Sequence, residues 1–248
     1  MKSTLTIWGK QAVREAARAD LLVDRLFVYE KLEQKEAFLQ SLGDHNLLVR
    51  EVGRQQLRDL AGTDKTGGVV AEVAPPEPKS LPRVLRRLAE RNRTPCLIVL
   101  DHVEDPQNLG AIFRIADTVG ADGVIVTRRR CAPITGSAVH ASAGAIFHVP
   151  VIQVANIAAA LDMMREARIW TVGAMPEGDR EYTEVEYTMP VAIVLGSEGR
   201  GIRPVVGRKC DFLVRIPMSG RVASLNVAQS AAVLLYEVVR QRRAADRS

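Results

Sequence analysis

The stretch Ile216-Pro-Met-Ser-Gly-Arg-Val-Ala-Ser-Leu-Asn226 joins an apolar run to a long apolar helix pattern, and that junction sets the fold. Upstream, Phe212-Leu-Val-Arg-Ile216 reads as a short buried strand. Pro217 has no N–H to give to a ladder, so the strand stops there. Ser219-Gly220 permits a sharp turn. Ser224 is a good N-cap for a helix in which Leu225, Ala228, Ala232, Leu235 and Val239 recur at helical spacing. A second row, Val227, Ala231, Leu234 and Val238, covers much of the other side. A helix apolar on most of its girth buries more than one face. It is therefore expected to pack on its own sheet and on a partner chain. Ser224, Asn226, Gln229 and Ser230 crowd into its first two turns. A strand, a tight loop and a polar helix start make a concave site rich in free backbone N–H groups.

Working outward, similar apolar runs precede this one. They are Cys96-Leu-Ile-Val-Leu100, Gly123-Val-Ile-Val126, Val149-Pro-Val-Ile152, Ile169-Trp-Thr-Val172 and Val191-Ala-Ile-Val-Leu195. The first shows no alternation, which suits a parallel strand covered on both faces. Helical stretches such as 156–167 lie between most of them, which predicts a doubly wound α/β domain. Before it, residues 1–74 alternate short helix and strand patterns and read as a smaller α/β domain. Pro75-Pro-Glu-Pro78 is a stiff, extended boundary. Residues 75–95 then hold the linker and a basic helix from Leu81 to Glu90, and residues 96–248 the larger domain.

Of the 248 residues, 47% are hydrophobic, enough for a packed core. No apolar run spans a bilayer, and the first residues lack a signal-peptide core, so a cytoplasmic protein is expected. Cys96, Cys131 and Cys210 are too scattered for a disulfide framework or a zinc signature. No metal site is expected, and the four histidines show no ligand spacing. The net charge is +5. Residues 75–95 carry six basic and two acidic side chains, so they hold most of that excess. Arg83, Arg86, Arg87, Arg91 and Arg93 are either a solvated helix face or a track for phosphates.

Three stretches could carry chemistry. In the first, Asp101 to Arg114, a polar loop follows a buried strand and Asn108 reads as a helix cap. Arg114 falls off the apolar stripe of that helix, so it can face a cleft at the strand ends, or it is an ordinary exposed arginine. The second is Val194-Leu-Gly-Ser-Glu-Gly-Arg-Gly201. It is neither a P-loop nor a dinucleotide fingerprint, and Glu198 in its middle disfavours a pyrophosphate. Its glycines say that backbone comes close to something, or mark a plain turn. The third is the opening stretch. A nicotinamide-dependent oxidoreductase would need a Gly-rich turn after Leu100, which is absent in the required form.

Asn108-Leu-Gly to Arg114, Leu195-Gly-Ser-Glu-Gly199, and Ile216-Pro-Met to Ser224-Leu-Asn226 together resemble the three signature motifs of the SpoU (TrmH-type) branch of the SPOUT RNA methyltransferases. They stand in the same order across roughly residues 96–243. Ile7-Trp-Gly9, Leu26-Phe-Val28 and Thr66-Gly-Gly-Val69 resemble the ribosomal-protein-like RNA-binding domain of many members. The whole pattern is most similar to members that 2′-O-methylate a guanosine of large-subunit ribosomal RNA. A transfer-RNA methyltransferase is the runner-up, and a non-catalytic RNA-binding member a third reading.

The resemblance implies a parallel-sheet domain with a deep trefoil knot, a homodimer through that domain, and S-adenosyl-L-methionine as cofactor. It implies that Gly196, Ile216 and Leu225 contact the cofactor. Leu195, Ser197, Gly199, Pro217, Met218, Ser224, Thr171 and Gly173 would line its pocket. A ribose 2′-oxygen of RNA would attack the sulfonium methyl. Arg114 would be the catalytic arginine, and Asn108, Glu198, Ser224 and Asn226 would position it, the ribose or the loops. Arg128-Arg-Arg130 is a further candidate for gripping RNA.

Overall fold

In a computed structural model of the chain, residues 4–21, 23–43, 47–91, 93–221 and 224–247 are described. Val222 and Ala223 of the opening stretch lie outside them. The N-terminal part runs β1 (Leu5–Trp8), α1 (Lys10–Arg18), β2 (Val23–Tyr29), α2 (Lys35–Gln40), β3 (Leu48–Val52), α3 (Arg54–Ala61) and β4 (Val69–Val73). Its four-stranded sheet has the order β1-β4-β2-β3. Only the β2–β3 pair is parallel. Ala12, Val13, Ala16 and Ala17 of α1 are buried, and Leu57 of α3 packs with Phe27, Val52 and Val70. β1 was not foreseen. Its four residues alternate buried and half-buried, a short signal.

The linker does not swing free. Lys79 pairs with Ile152 at the edge of the larger sheet, and α4 (Leu81–Ala89) buries Leu81 and Leu88 with the core of that sheet. Arg91 and Arg93 both pair with the buried carboxylate of Asp122, which also accepts from the Cys96 N–H at 2.9 Å.

The larger part contains β5 (Cys96–Asp101), α5 (Pro106–Thr118), β6 (Gly123–Thr127), α6 (Gly136–Ala141), β7 (Val151–Val154), α7 (Ile157–Glu166), β8 (Trp170–Ala174), β9 (Arg180–Glu181), β10 (Val191–Gly196), α8 (Pro204–Gly207), β11 (Phe212–Arg215) and α9 (Val227–Ala245). Its sheet has the order β7-β6-β5-β10-β8-β11-β9, parallel at every pairing. Both faces are covered. Ile98, Leu100, Ile193 and Leu195 join the core of α5 and α9. Leu97, Val99, Ala192 and Val194 join that of α4, α7 and α8. All six residues of β5 are buried. At roughly 1.5–3 kcal/mol for each large aliphatic side chain, the central strands outweigh any single ion pair. β11 is only half-buried rather than buried, because its outer neighbour β9 has two residues.

The two sheets are docked through β1 and α1. Trp8 stacks on His140 of α6, with ring centroids 5.9 Å apart. Gly136 leaves room for that contact, since a Cβ there would lie 2.3 Å from the Trp8 ring. His148 Nε2 meets Glu15 Oε2 at 2.8 Å.

Candidate active site

The strand order reverses between β5 and β10, and the loops leaving these strands meet at the C-terminal edge of the sheet. Open parallel sheets bind ligands at such a switch point. The loop after β10 closes on itself: Ser197 N donates to Gly201 O at 3.1 Å and Gly201 N to Ser197 O at 2.9 Å. Gly199 and Gly201 have φ of 79° and 63°, in the region that favours glycine. Gly196 has no space for a side chain, because a Cβ would lie 2.0 Å from the Gly201 carbonyl carbon.

Two caps differ from the sequence reading, and both differences serve this loop. Asp105, not Asn108, caps α5, accepting from the N–H groups of Gln107 at 3.1 Å and Asn108 at 3.4 Å, with Pro106 in the first turn. Asn226, not Ser224, caps α9. Its side chain accepts from Ala228 N at 2.8 Å, and Gln229 reaches back to Asn226 N. The Asn108 side chain is thus freed and almost fully buried. Asn108 Nδ2 donates to Glu198 Oε1 at 2.9 Å. Asn226 Nδ2 donates to Asn108 Oδ1 at 2.9 Å and also reaches Glu198 Oε1. Two amides therefore hold one oxygen of the carboxylate and tie the loops of all three motifs together. Among the described residues Glu198 Oε2 has no partner, so it stays open to solvent or a ligand.

Beneath this cluster lies a cavity of about 400 Å³. Of the residues expected at a cofactor pocket, Leu195, Gly196, Ser197, Gly199, Ile216, Ser224 and Leu225 line it together. Four do not. Thr171 sits near the N-terminal start of β8, its N–H and hydroxyl both donating to Asp211 at 2.8 and 2.7 Å. Gly173 faces the other layer, near Cys210, Leu213 and Ile202. Pro217 and Met218 turn outward and are exposed. The wall that Thr171 and Gly173 were expected to supply comes from Ala174 to Glu177, immediately downstream. The sequence carried that signal in the polar turn Pro176-Glu-Gly-Asp179, which follows a buried strand.

Arg114 is exposed on α5 and lines none of the cavities described here. Among the described residues its guanidinium has no partner, so it remains available for a ligand. Burial pushes Cys96 and Cys131 up to about 11 and Cys210 up to about 12, so all three stay protonated near neutral pH. Among the described residues no group of three His, Cys, Asp or Glu side chains could hold a metal, and no helix is long and apolar enough to cross a membrane.

The sequence profile of the SpoU rRNA Methylase family matches residues 95–236, the whole span that carries this cluster and cavity. The chain belongs to the SpoU methylase family of RNA methyltransferases. A second profile, RNA 2′-O ribose methyltransferase substrate binding, matches residues 6–79. Among SpoU-family relatives, a putative TrmH family tRNA/rRNA methyltransferase, YacO of Bacillus subtilis, is 38% identical over 94% of each chain. The SpoU methyltransferase AviRb from Streptomyces viridochromogenes, solved with its cofactor AdoMet, superposes with a TM-score of 0.83 at 27% identity. That match covers 97% of this chain and 91% of AviRb. An RNA 2′-O ribose methyltransferase superposes with a TM-score of 0.81 at 29% identity, over 98% of this chain and 90% of that one. The TrmH/SpoU tRNA modifying enzyme of A. aeolicus covers only 67% of this chain and 86% of its own length, with a TM-score of 0.57 at 27% identity.

Proposed function

We propose that the chain transfers a methyl group from S-adenosyl-L-methionine to a ribose 2′-oxygen of RNA, at a guanosine of 23S ribosomal RNA, in the cytoplasm. The observation that carries this reading is the joining of three separated motifs by Asn108, Glu198 and Asn226 around a single cavity. The cavity fits the donor. Its walls include the backbone of a glycine-rich loop and the apolar Leu195, Ile216 and Leu225, suited to a flat purine. Its charged lining is Glu177 and Glu198 against Arg200, so a cation is tolerated and a polyphosphate is not. Bound S-adenosyl-L-methionine supplies an electrophilic methyl group.

Leu195, Gly196, Ser197, Gly199, Ile216, Ser224 and Leu225 hold the donor. Asn108, Glu198 and Asn226 fix the loop over it. Arg114 binds a phosphate of the substrate and stabilises charge developing on the 2′-oxygen. A guanidinium does not deprotonate in proteins, so it is not the base. Because Arg114 lies on the surface of its own chain, it completes the cavity of a second copy in a homodimer. The half-exposed Ala232, Val233 and Val239 beside exposed Tyr236 on α9 support such an interface. The knotted path is supported by the packing of the loop after β8 against β11, where a Cβ on Gly178 would lie 2.3 Å from the Val214 carbonyl carbon. Residues 1–74 serve as the substrate-binding domain, 75–95 as linker and 96–248 as the catalytic domain. Ribosomal RNA is favoured over transfer RNA because the N-terminal substrate-binding match is added to the methylase match.

Incubation with methyl-labelled S-adenosyl-L-methionine and either total ribosomal or total transfer RNA tests the substrate. Label is expected in large-subunit RNA, and label confined to transfer RNA would replace that assignment. Arg114→Ala is expected to lower methyl transfer by roughly 10²–10³ while calorimetry gives an unchanged cofactor affinity. Equal loss of both would make Arg114 structural. Light scattering is expected to show a dimer, and a stable, active monomer would refute the shared site.

A further inference from the structure

The geometry points to a second anion site on the same edge of the sheet. It is a cavity of about 370 Å³ lined by Arg128, Arg129, Arg130, Arg203, His102 and Asn156, and it takes a backbone phosphate of the RNA beside the nucleotide being methylated. This rests on the reading of the chain as an RNA methyltransferase.

The arginines are placed rather than scattered. Arg128 N donates to Val154 O at 3.0 Å, extending the β6–β7 ladder past the end of β6. The Thr127 hydroxyl donates to the Arg129 carbonyl. Arg130 then adopts φ 58°, and His102 across the cavity φ 64°. A left-handed conformation is disfavoured for a residue with a Cβ, and strain of this kind recurs at ligand sites. Among the described residues the side chains of Arg128, Arg129 and Arg130 have no hydrogen-bond or ion-pair partner. Arg203 differs. The fully buried Asp101 accepts its backbone N–H and its Nε, each at 2.9 Å, and its Nη2 lies 2.8 Å from the same carboxylate. That pair is neutral and fixes the floor, leaving three uncompensated positive charges at the mouth. Asn156 caps α7, a ten-residue helix, through its Oδ1. Its amide N–H₂ and the positive end of that helix remain for an anion.

The cavity also lies where a substrate chain must pass. His102 borders a middle cavity of about 410 Å³ that reaches Asn108, Ser197, Glu198 and Arg200. Ser197, Glu198 and Arg200 in turn line the donor cavity. The three form one groove across the ends of β8, β10, β5 and β6. With neighbouring strands about 4.8 Å apart, the arginine end is roughly 10–15 Å from the donor end. Glu104, Asp105 and Glu198 make the middle acidic, so the phosphates of a chain crossing the groove settle at the arginine end. A phosphodiester held there orients the strand without reading its bases.

The test compares two charge-matched variants of the full chain. Arg128→Gln with Arg130→Gln empties the cavity of two cations. Arg168→Gln with Arg208→Gln removes two exposed cations from the opposite end of the sheet. Affinity for a fluorescent single-stranded RNA of mixed sequence is measured against salt concentration, with thermal melting as a check on folding. The pocket pair is expected to lose roughly tenfold or more in affinity near 0.1 M salt, and to reduce the slope of log affinity against log salt by about 1–2. The control pair is expected to change less than about twofold, and both pairs to keep the wild-type cofactor affinity. Equal losses in the two pairs, or unchanged RNA binding in the pocket pair, would overturn the site. Because the readout is RNA binding and not turnover, wild-type protein that binds RNA but transfers no methyl group would contradict the proposed reaction and leave the phosphate site standing.

Discussion

The two ends of the seven-stranded sheet are built on opposite principles. At the N-terminal ends of the strands the buried and half-buried charges are each partnered. Asp122 takes Arg91, Arg93 and the Cys96 N–H. Asp211 takes Thr171 and Arg165. Arg242 donates to the carbonyls of Tyr187, Thr94, Pro95 and Met189 at 2.8–3.0 Å. At the C-terminal ends polar groups are held in place but left incompletely used. Glu198 keeps one free oxygen, and among the described residues three clustered arginines have no partner. One end closes the fold and the other presents chemistry, and mutations at the two ends should therefore fail differently.

The largest effect is expected from Glu198→Ala. Losing the carboxylate frees the loop over the donor cavity. A displacement of about 1 Å is enough to lower kcat by roughly 10²-fold, while the exposed position leaves Tm almost unchanged. A matching fall in Tm would erase the contrast between the ends. Next is Arg242→Met at the closed end. Several buried carbonyls lose their donor, costing about 2–4 kcal/mol and lowering Tm on the order of 10 °C. The kcat of the folded fraction stays at the wild-type value. An Arg242 variant that is fully stable but inactive would show that the closed end also serves catalysis.

The smallest effect concerns α9. Hydrogen bonds from Arg240 and Gln241 hold the Glu237 carboxyl below its ordinary range. A depressed carboxyl stabilises the fold at neutral pH and loses that contribution as pH falls through its folded-state value. Glu237→Gln is thus expected to melt slightly lower than wild type at pH 7, with the gap closing in acid. A gap that widens in acid would reverse the assignment. Melting curves across pH measure this.

Much of this architecture could be read before any coordinates. The unbroken apolar runs Cys96–Leu100 and Val191–Leu195 gave the covered parallel strands, since only burial on both faces tolerates such a pattern. The glycines at 196, 199 and 201 were read as close backbone approach, which holds for Gly196, while Gly199 and Gly201 serve the turn through positive φ. What escaped depended on choices that neighbouring residues could make equally well. Asp105 and Asn108 are both competent caps, as are Ser224 and Asn226. Only the long-range bonds among Asn108, Glu198 and Asn226 decide between them. The resemblance placed part of the cofactor wall at Thr171 and Gly173. The strand continues to Ala174, which shifts the wall downstream. The pairing of Arg91 and Arg93 with Asp122 was not legible, because Asp122 is some thirty residues away. The approach of α1 to His148 likewise has no local signature.

The central claim is that the cavity joined by the three motifs directs a methyl group to a sugar oxygen. Alkaline hydrolysis of RNA methylated by the pure protein with labelled S-adenosyl-L-methionine tests it most directly, because a blocked 2′-oxygen cannot cleave its own phosphodiester. Label is expected in alkali-resistant dinucleotides that yield 2′-O-methylguanosine on further digestion. Label released by alkali in ordinary mononucleotides, or recovered on a base, would contradict the account.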